Sequence, residues 1–209
     1  MNNVTFPVVG IIGAGAMGRG IAQIAAQAGS VVRLFDTRAE AVSEAVNSIT
    51  GQWDRMQEKG RLTEGALTAN KARLKNATQL SDLADCTLVV EAIVERLDVK
   101  KSLFAELESI VGPDAVLTTN TSSLSVTAIA AGLRVPQRFA GFHFFNPVPL
   151  MKVVEVIAGL KTSPAVCDAL SRSAREMGHT PVQAQDTPGF IVNHAGRGFG
   201  TEALRIVGE

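Results

Sequence analysis

Residues 8–36 read VVGIIGAGAMGRGIAQIAAQAGSVVRLFD. An apolar run meets a glycine-rich turn, an Ala-rich helical stretch follows, and a second apolar run ends on Asp36. The pattern predicts strand, turn, helix and strand. Gly13, Gly15 and Gly18 stand in G-x-G-x-x-G spacing, and each lacks a side chain for its own reason. Gly13 permits the tight turn, Gly15 lets the backbone approach a pyrophosphate, and Gly18 lets helix and strand pack closely. Gly13, Ala14, Gly15, Ala16, Met17 and Gly18 together would present a helix N-terminus to a diphosphate, with unpaired N–H groups and the positive end of a dipole. Asp36 lies 18 residues beyond Gly18, where a carboxylate can accept both hydroxyls of an adenosine ribose. It would repel a 2′-phosphate, so the predicted cofactor is NAD rather than NADP. Arg38 nearby weakens that preference slightly.

A lone G-x-G-x-x-G can be a turn without a ligand. Here a strand precedes it, a helix follows, and an acidic residue closes the second strand, which makes the dinucleotide reading specific. It names a cofactor but not a reaction.

Composition narrows the rest. The 209 residues suffice for one large domain, or for a domain and part of another. Hydrophobic residues make up 46% and charged residues 19%, which suits a globular chain with a sizeable core. Net charge is +0, so nothing in the charge balance points to nucleic acid or an anionic membrane as a partner. No apolar run approaches the roughly 20 residues of a membrane span, and no signal peptide is legible. Cys86 and Cys167 stand alone, as reduced thiols of a cytoplasmic protein would. Three scattered histidines give no metal-ligand spacing, and no metal site is predicted.

After Asp36 a polar, helix-forming stretch over 39–75 reads as one helix plus a second helix or helical hairpin inserted in the alternating pattern. Strand-like runs recur at 87–92, 115–119, 138–142, 153–157 and 180–185. Helical segments at 99–111, 125–131 and 164–177 separate them. The predicted class is α/β: a Rossmann-type, doubly wound, mostly parallel sheet covered on both faces. The breaker Asp186-Thr187-Pro188-Gly189 reads as a hinge. The expected organisation is a dinucleotide-binding domain over 1–186 and the first helix of a truncated C-terminal helical domain over 187–209.

Three segments are candidates for chemistry. TTNTSSLS, 118–125, sits where a strand ends and a helix begins, the ligand-facing edge of an open α/β sheet. Its hydroxyls can also simply cap the helix, which by itself would account for Ser122 or Ser123. GFHFFNPVPLMKVVEV, 141–156, places His143 near a strand end, with Glu155 12 residues on. A return strand would set the carboxylate against the imidazole, fixing its tautomer and stabilising the cation formed. A histidine among phenylalanines is otherwise a core residue. DTPGFIVN, 186–193, ends on Asn193 in the first turns of a helix.

These motifs carry a resemblance. GAGAMGRGIA, VVEAIVE, NTSSLS, HFFNPVPLMKVVEV and DTPGFIVN occur in the order and spacing of the NAD-dependent 3-hydroxyacyl-CoA dehydrogenase family. The chain looks most like bacterial members that act on 3-hydroxybutyryl-CoA or, in phenylacetate catabolism, 3-hydroxyadipyl-CoA. The resemblance implies His143 as general base for the 3-hydroxyl, with Glu155 as its orienting partner. It implies that Ser122 hydrogen-bonds the substrate oxygen and Asn193 helps hold an acyl-CoA substrate. Ser122, Glu95, Lys100 and Asn146 would join the glycine turn and Asp36 around NAD. His194 follows Asn193 where many relatives have Arg. Family members continue into a helical domain that covers the cleft and forms a homodimer, so this chain is expected to be a monomer or to associate through a non-native surface. The alternative is an NAD-binding module, or a structural recruit, without efficient catalysis. A related dehydrogenase with a Lys base fits less well, because the His143–Glu155 segment speaks against it.

Overall fold

Short runs in which nearly every residue is apolar need cover on both faces of a sheet. In the computed structural model, which describes residues 4–208, those runs form one sheet of eight strands. They are β1 (Val8–Ile12), β2 (Val31–Phe35), β3 (Leu74–Asn76), β4 (Leu88–Glu91), β5 (Val116–Thr119), β6 (Phe139–Phe144), β7 (Val153–Ala158) and β8 (Thr180–Gln185). Across the sheet the order is β3-β2-β1-β4-β5-β6-β7-β8. The first six are parallel and follow the order of a doubly wound nucleotide-binding fold. β7 then runs antiparallel to β6, and β8 lies parallel to β7. The predicted fold class holds.

Helices α1 (Ala16–Ala28), α2 (Ala39–Glu58) and α6 (Pro164–Glu176) cover one face. Their Ile21, Ile49, Trp53 and Leu170 pack with Val9, Leu34, Phe142 and Phe144 of the strands. Helices α4 (Leu97–Ile110) and α5 (Val126–Ala130) cover the other, where Phe104, Leu107 and Ile129 meet Leu117, Phe139 and Ile157. Each such side chain, buried fully, contributes about 1.5–3 kcal/mol. The alternation in β6 decides where the histidine points. Ala140, Phe142 and Phe144 enter the first core, which leaves Gly141 and His143 on the opposite face.

Two expectations about local structure are corrected. The stretch over 39–75 is not helical to its end: α2 and α3 (Glu64–Arg73) form the hairpin, and β3 follows at once. Leu74 pairs with Val32 at the sheet edge. Three residues, one buried and two exposed, carry no period that distinguishes a strand from the last turn of a helix. Likewise the cap of α5 is Ser125, whose hydroxyl accepts the Ala128 N–H at 3.1 Å. Ser122 and Ser123 lie before the cap and are left for other contacts.

Candidate active site

The glycine turn is built as its spacing demands. Gly13 has φ +101°, and a Cβ there would stand 2.5 Å from the Ala92 carbonyl oxygen. A Cβ on Gly18 would stand 1.8 Å from the Gly13 oxygen, which no side chain can share. A Cβ on Gly15 meets nothing within 4 Å, so the backbone there faces open space. Gly15 is the N-cap of α1, and no side chain caps that helix. A groove of about 630 Å³ runs from this turn past Asp36 and Arg38 to an apolar wall of Ile93, Val94 and Leu103. Turn, open helix end, carboxylate and apolar wall fit the adenosine and pyrophosphate of a dinucleotide. Asp36 is half-buried. Its Oδ2 accepts the Ala14 N–H at 2.8 Å and Oδ1 that of Arg38 at 3.0 Å, so the carboxylate also fixes the turn.

At the carboxyl ends of β4 and β5 sits a second cluster. Glu95 accepts from the Thr121 hydroxyl, the Ser122 N–H at 3.1 Å and the Ser123 hydroxyl at 3.2 Å. Burial pushes its carboxyl up, but the Thr121 hydroxyl, the Lys100 ammonium and the Ser122 amide outweigh it, and the group is held below the usual range. Lys100 stands beside Glu95. It is 1% exposed, and its Nζ pairs with the buried Glu91 and lies 3.3 Å from Glu95. There it holds Glu95 in place. Glu91, within the VVEAIVE motif, also accepts from the Thr119 hydroxyl at 2.7 Å, a contact that the sequence does not show.

The third cluster is the histidine. The antiparallel register pairs His143 directly with Glu155, and Nδ1 lies 2.7 Å from Oε2. The histidine is 4% exposed and the carboxylate wholly buried. The Phe145 and Phe190 rings stand 4.5 and 5.8 Å from the imidazole, centroid to centroid. Among the described residues Nε2 has no partner, so it remains the nitrogen available to a substrate.

The breaker after β8 is no free hinge. Asp186 accepts the Val126 and Thr127 N–H groups at 2.9 and 2.8 Å and the Ser125 hydroxyl at 2.7 Å, fastening the segment to α5. Burial raises its carboxyl, yet the Thr127 and Ser125 contacts prevail and hold it below its ordinary value. A sequence shows the breaker but not a carboxylate clamped 60 residues away. Helix α7 (Val192–Val207) comes next, and Asn193 Nδ2 donates to the Ser122 carbonyl at 3.1 Å. The structure thus joins Ser122 to Glu95 on one side and to Asn193 on the other. Asn146 is exposed just beyond β6. Nearby Asn120, also missed, accepts the Phe144 N–H at 2.9 Å and ties the ends of β5 and β6 together. Cys86 and Cys167 are buried and free; burial pushes the Cys86 thiol up to about 12, which removes it as a nucleophile near neutral pH. No helix among the described residues is long and apolar enough to cross a membrane.

Comparison with known proteins agrees with this geometry. Residues 8–187 match the family model described as 3-hydroxyacyl-CoA dehydrogenase, NAD binding domain. The chain is 44% identical over 206 residues to the 3-hydroxyadipyl-CoA dehydrogenase of Escherichia coli, covering 99% of this chain and 43% of that one. It is 43% identical over 200 residues to a Deinococcus radiodurans protein named "Probable 3-hydroxybutyryl-CoA dehydrogenase", covering 96% and 72%. A crystal structure of the 3-hydroxybutyryl-CoA dehydrogenase of Escherichia coli superposes with a TM-score of 0.94 at 44% identity, over 97% of this chain and 43% of that one. The chain therefore spans less than half the length of the Escherichia coli relative.

Proposed function

This chain belongs to the 3-hydroxyacyl-CoA dehydrogenase family, and on that premise we propose that it transfers a hydride between NAD and the C3 hydroxyl or keto group of a 3-hydroxyacyl-CoA or 3-oxoacyl-CoA. One observation carries the reading: a buried imidazole, tied by Nδ1 to a buried carboxylate, keeps Nε2 open. A neutral ring that donates from Nδ1 has its lone pair on Nε2, and there it can take the proton of a 3-hydroxyl. Glu155 stabilises the imidazolium that results. Ser122, with its exposed hydroxyl beside the Asn193 contact, would hydrogen-bond the same substrate oxygen. The glycine turn, Asp36 and the Glu95 cluster would hold NAD, which when bound supplies the acceptor for the C3 hydride. Deprotonation of oxygen and departure of hydride from carbon together turn the alcohol into a ketone. Run backwards, His143 returns the proton.

The acyl-CoA is the small-molecule partner. In this reading the segment over 187–208 forms the start of a helical second domain, and Glu209 lies outside the described residues. Helix α7 has no buried residue and exposes Phe199, Leu204 and Val207, which suits a helix that other helices cover. The longer form would be a homodimer through that domain and this chain a monomer, which light scattering checks. Two buried, unpaired thiols suit a reducing cytoplasm. The function is tested by incubating the chain with NAD and 3-hydroxybutyryl-CoA and following NADH absorbance, beside a form extended to the length of its relatives. NADH should accumulate. NAD binding without NADH formation in either form overturns the reading and leaves a cofactor-binding module.

A further inference from the structure

Glu155 accepts more than the imidazole. Its Oε1 receives the backbone N–H groups of Ile191 and Val192, each at 2.9 Å, while Oε2 faces His143. A wholly buried carboxylate is thereby given three protein contacts, two of them from the entry to α7. Two consecutive N–H groups converge on one oxygen because the chain folds back just before them. Gly189 has φ +79° and Phe190 φ +49°. Phe190 alone among the described non-glycine residues has a positive φ, a conformation kept only where the surroundings enforce it. Here they do: its ring is 4% exposed within the second core and lies against the His143 ring, and Asp186 anchors the segment upstream.

We propose that the turn over 186–192 is the positioning device of the proton acceptor. The Ile191 and Val192 amides fix the Glu155 carboxylate, and Glu155 so fixed holds His143 as the Nδ1–H tautomer with Nε2 open to substrate. The inference rests on the reading of His143 as proton acceptor, and it extends that reading to backbone groups without a side-chain signature. The physical reason is direct. A neutral imidazole carries one N–H, and the partner it meets decides which nitrogen bears it. A carboxylate free to rotate offers no fixed partner; one whose second oxygen is held by two amides does.

Proline at position 192 removes one of these donors and little else. Val192 is the first residue of α7, where the helix leaves the N–H unused and proline is well tolerated. The expected result for the unmodified chain, read by long-range proton–nitrogen NMR of the His143 ring, is the Nδ1–H tautomer alone. Val192→Pro should populate both tautomers, and Val192→Ala, which retains the N–H, should restore the single one. In kinetics Val192→Pro should lower kcat by about 10- to 100-fold, the worth of a hydrogen bond to a charged group, with KM little changed. A single tautomer and unchanged kcat in Val192→Pro overturn the positioning role, and loss of turnover in His143→Gln would then still stand for the functional reading. Mixed tautomers with unchanged turnover do the reverse: the positioning holds and the reading of His143 fails. Proline also disfavours a helical residue before it, and Ile191 has φ −102° and ψ −55°. A second measurement therefore leaves the backbone alone. In Glu155→Gln the Ile191 and Val192 amide protons should shift and exchange faster with solvent; amides that do not respond overturn the proposal.

Discussion

The turn after β1 and the turn after β8 solve the same mechanical problem with opposite economies. Each passes through a positive-φ residue into a helix, and each is held by a carboxylate that accepts backbone N–H groups. After β1 the carboxylate is Asp36, at the end of the adjacent strand, and it takes one N–H from the turn and one from its own downstream neighbour. It is only half-buried and lines the groove as well. After β8 two carboxylates from different parts of the sheet are used up: Asp186 on α5 and Glu155 on Ile191 and Val192. The first turn is a local unit that leaves a groove open beside it. The second is a junction, in which the His143 imidazole, its carboxylate partner and the entry to the next helix are fixed against one another.

The comparison breaks most sharply at the junction. His143→Gln should lower kcat by on the order of 10² to 10⁴ with NAD affinity nearly unchanged, as steady-state kinetics and calorimetry would show. Glu155→Gln should fall steeply too, and the double mutant should be little worse than His143→Gln, because the two act as one unit. Near-normal turnover in both single mutants would return the histidine to the core. Next in size is the glycine turn. Gly18→Ala forces a Cβ against a backbone oxygen 1.8 Å away and should cost at least about 1–3 kcal/mol in denaturant unfolding, with loss of NAD binding. Gly15→Ala adds a methyl to open space; it should leave stability within about 1 kcal/mol and weaken NAD alone. Equal destabilisation by the two would show that they share one role.

Smaller effects sharpen the contrast. NAD should bind at least about tenfold more tightly than NADP, a difference of ~1.4 kcal/mol, and Asp36→Ala should narrow the gap. Equal affinities for the unmodified chain would remove Asp36 as the discriminator. The smallest effect is at Asp186, whose carboxyl is lowered from 3.8 in the folded chain. The stabilisation it gives is present above that value and lost as pH falls through the lower folded one. Asp186→Ala should cost about 0.5–2 kcal/mol at neutral pH, as loss of a helix-end acceptor does, and stability should then depend less on pH below about 4. An unchanged acid-unfolding profile would mean that the clamp carries no weight.

The first region was legible because its parts are contiguous. Residues 8–36 contain the strand, the three glycines, the helix and the acidic residue, and each sits where its chemistry requires. The pairing of His143 with Glu155 was legible as well, since a short return strand is the simplest path over 12 residues. Other features have no local signature. The burial of Lys100 is one, because only the fold brings Glu91 and Glu95 around it. β3 is too short to show a period. Amide donors such as those of Ile191 and Val192 are carried by every residue but proline, so no sequence pattern marks the two that bind Glu155.

The antiparallel pairing of β6 with β7 has a consequence for how this scaffold tolerates insertions and deletions. The connection over 145–152 is longer than the roughly two- to five-residue turns that dictate register, so the buried pattern of the two strands sets which residues face each other. The segment between Phe144 and Val153 could therefore gain or lose residues over evolutionary time, or in a designed library, while imidazole and carboxylate still meet. Within either strand the same single-residue change would slip the ladder and turn Glu155 toward the opposite face, among Phe142 and Val154. Loop-length variation here thus leaves the pair of His143 and Glu155 intact, and strand-length variation separates it.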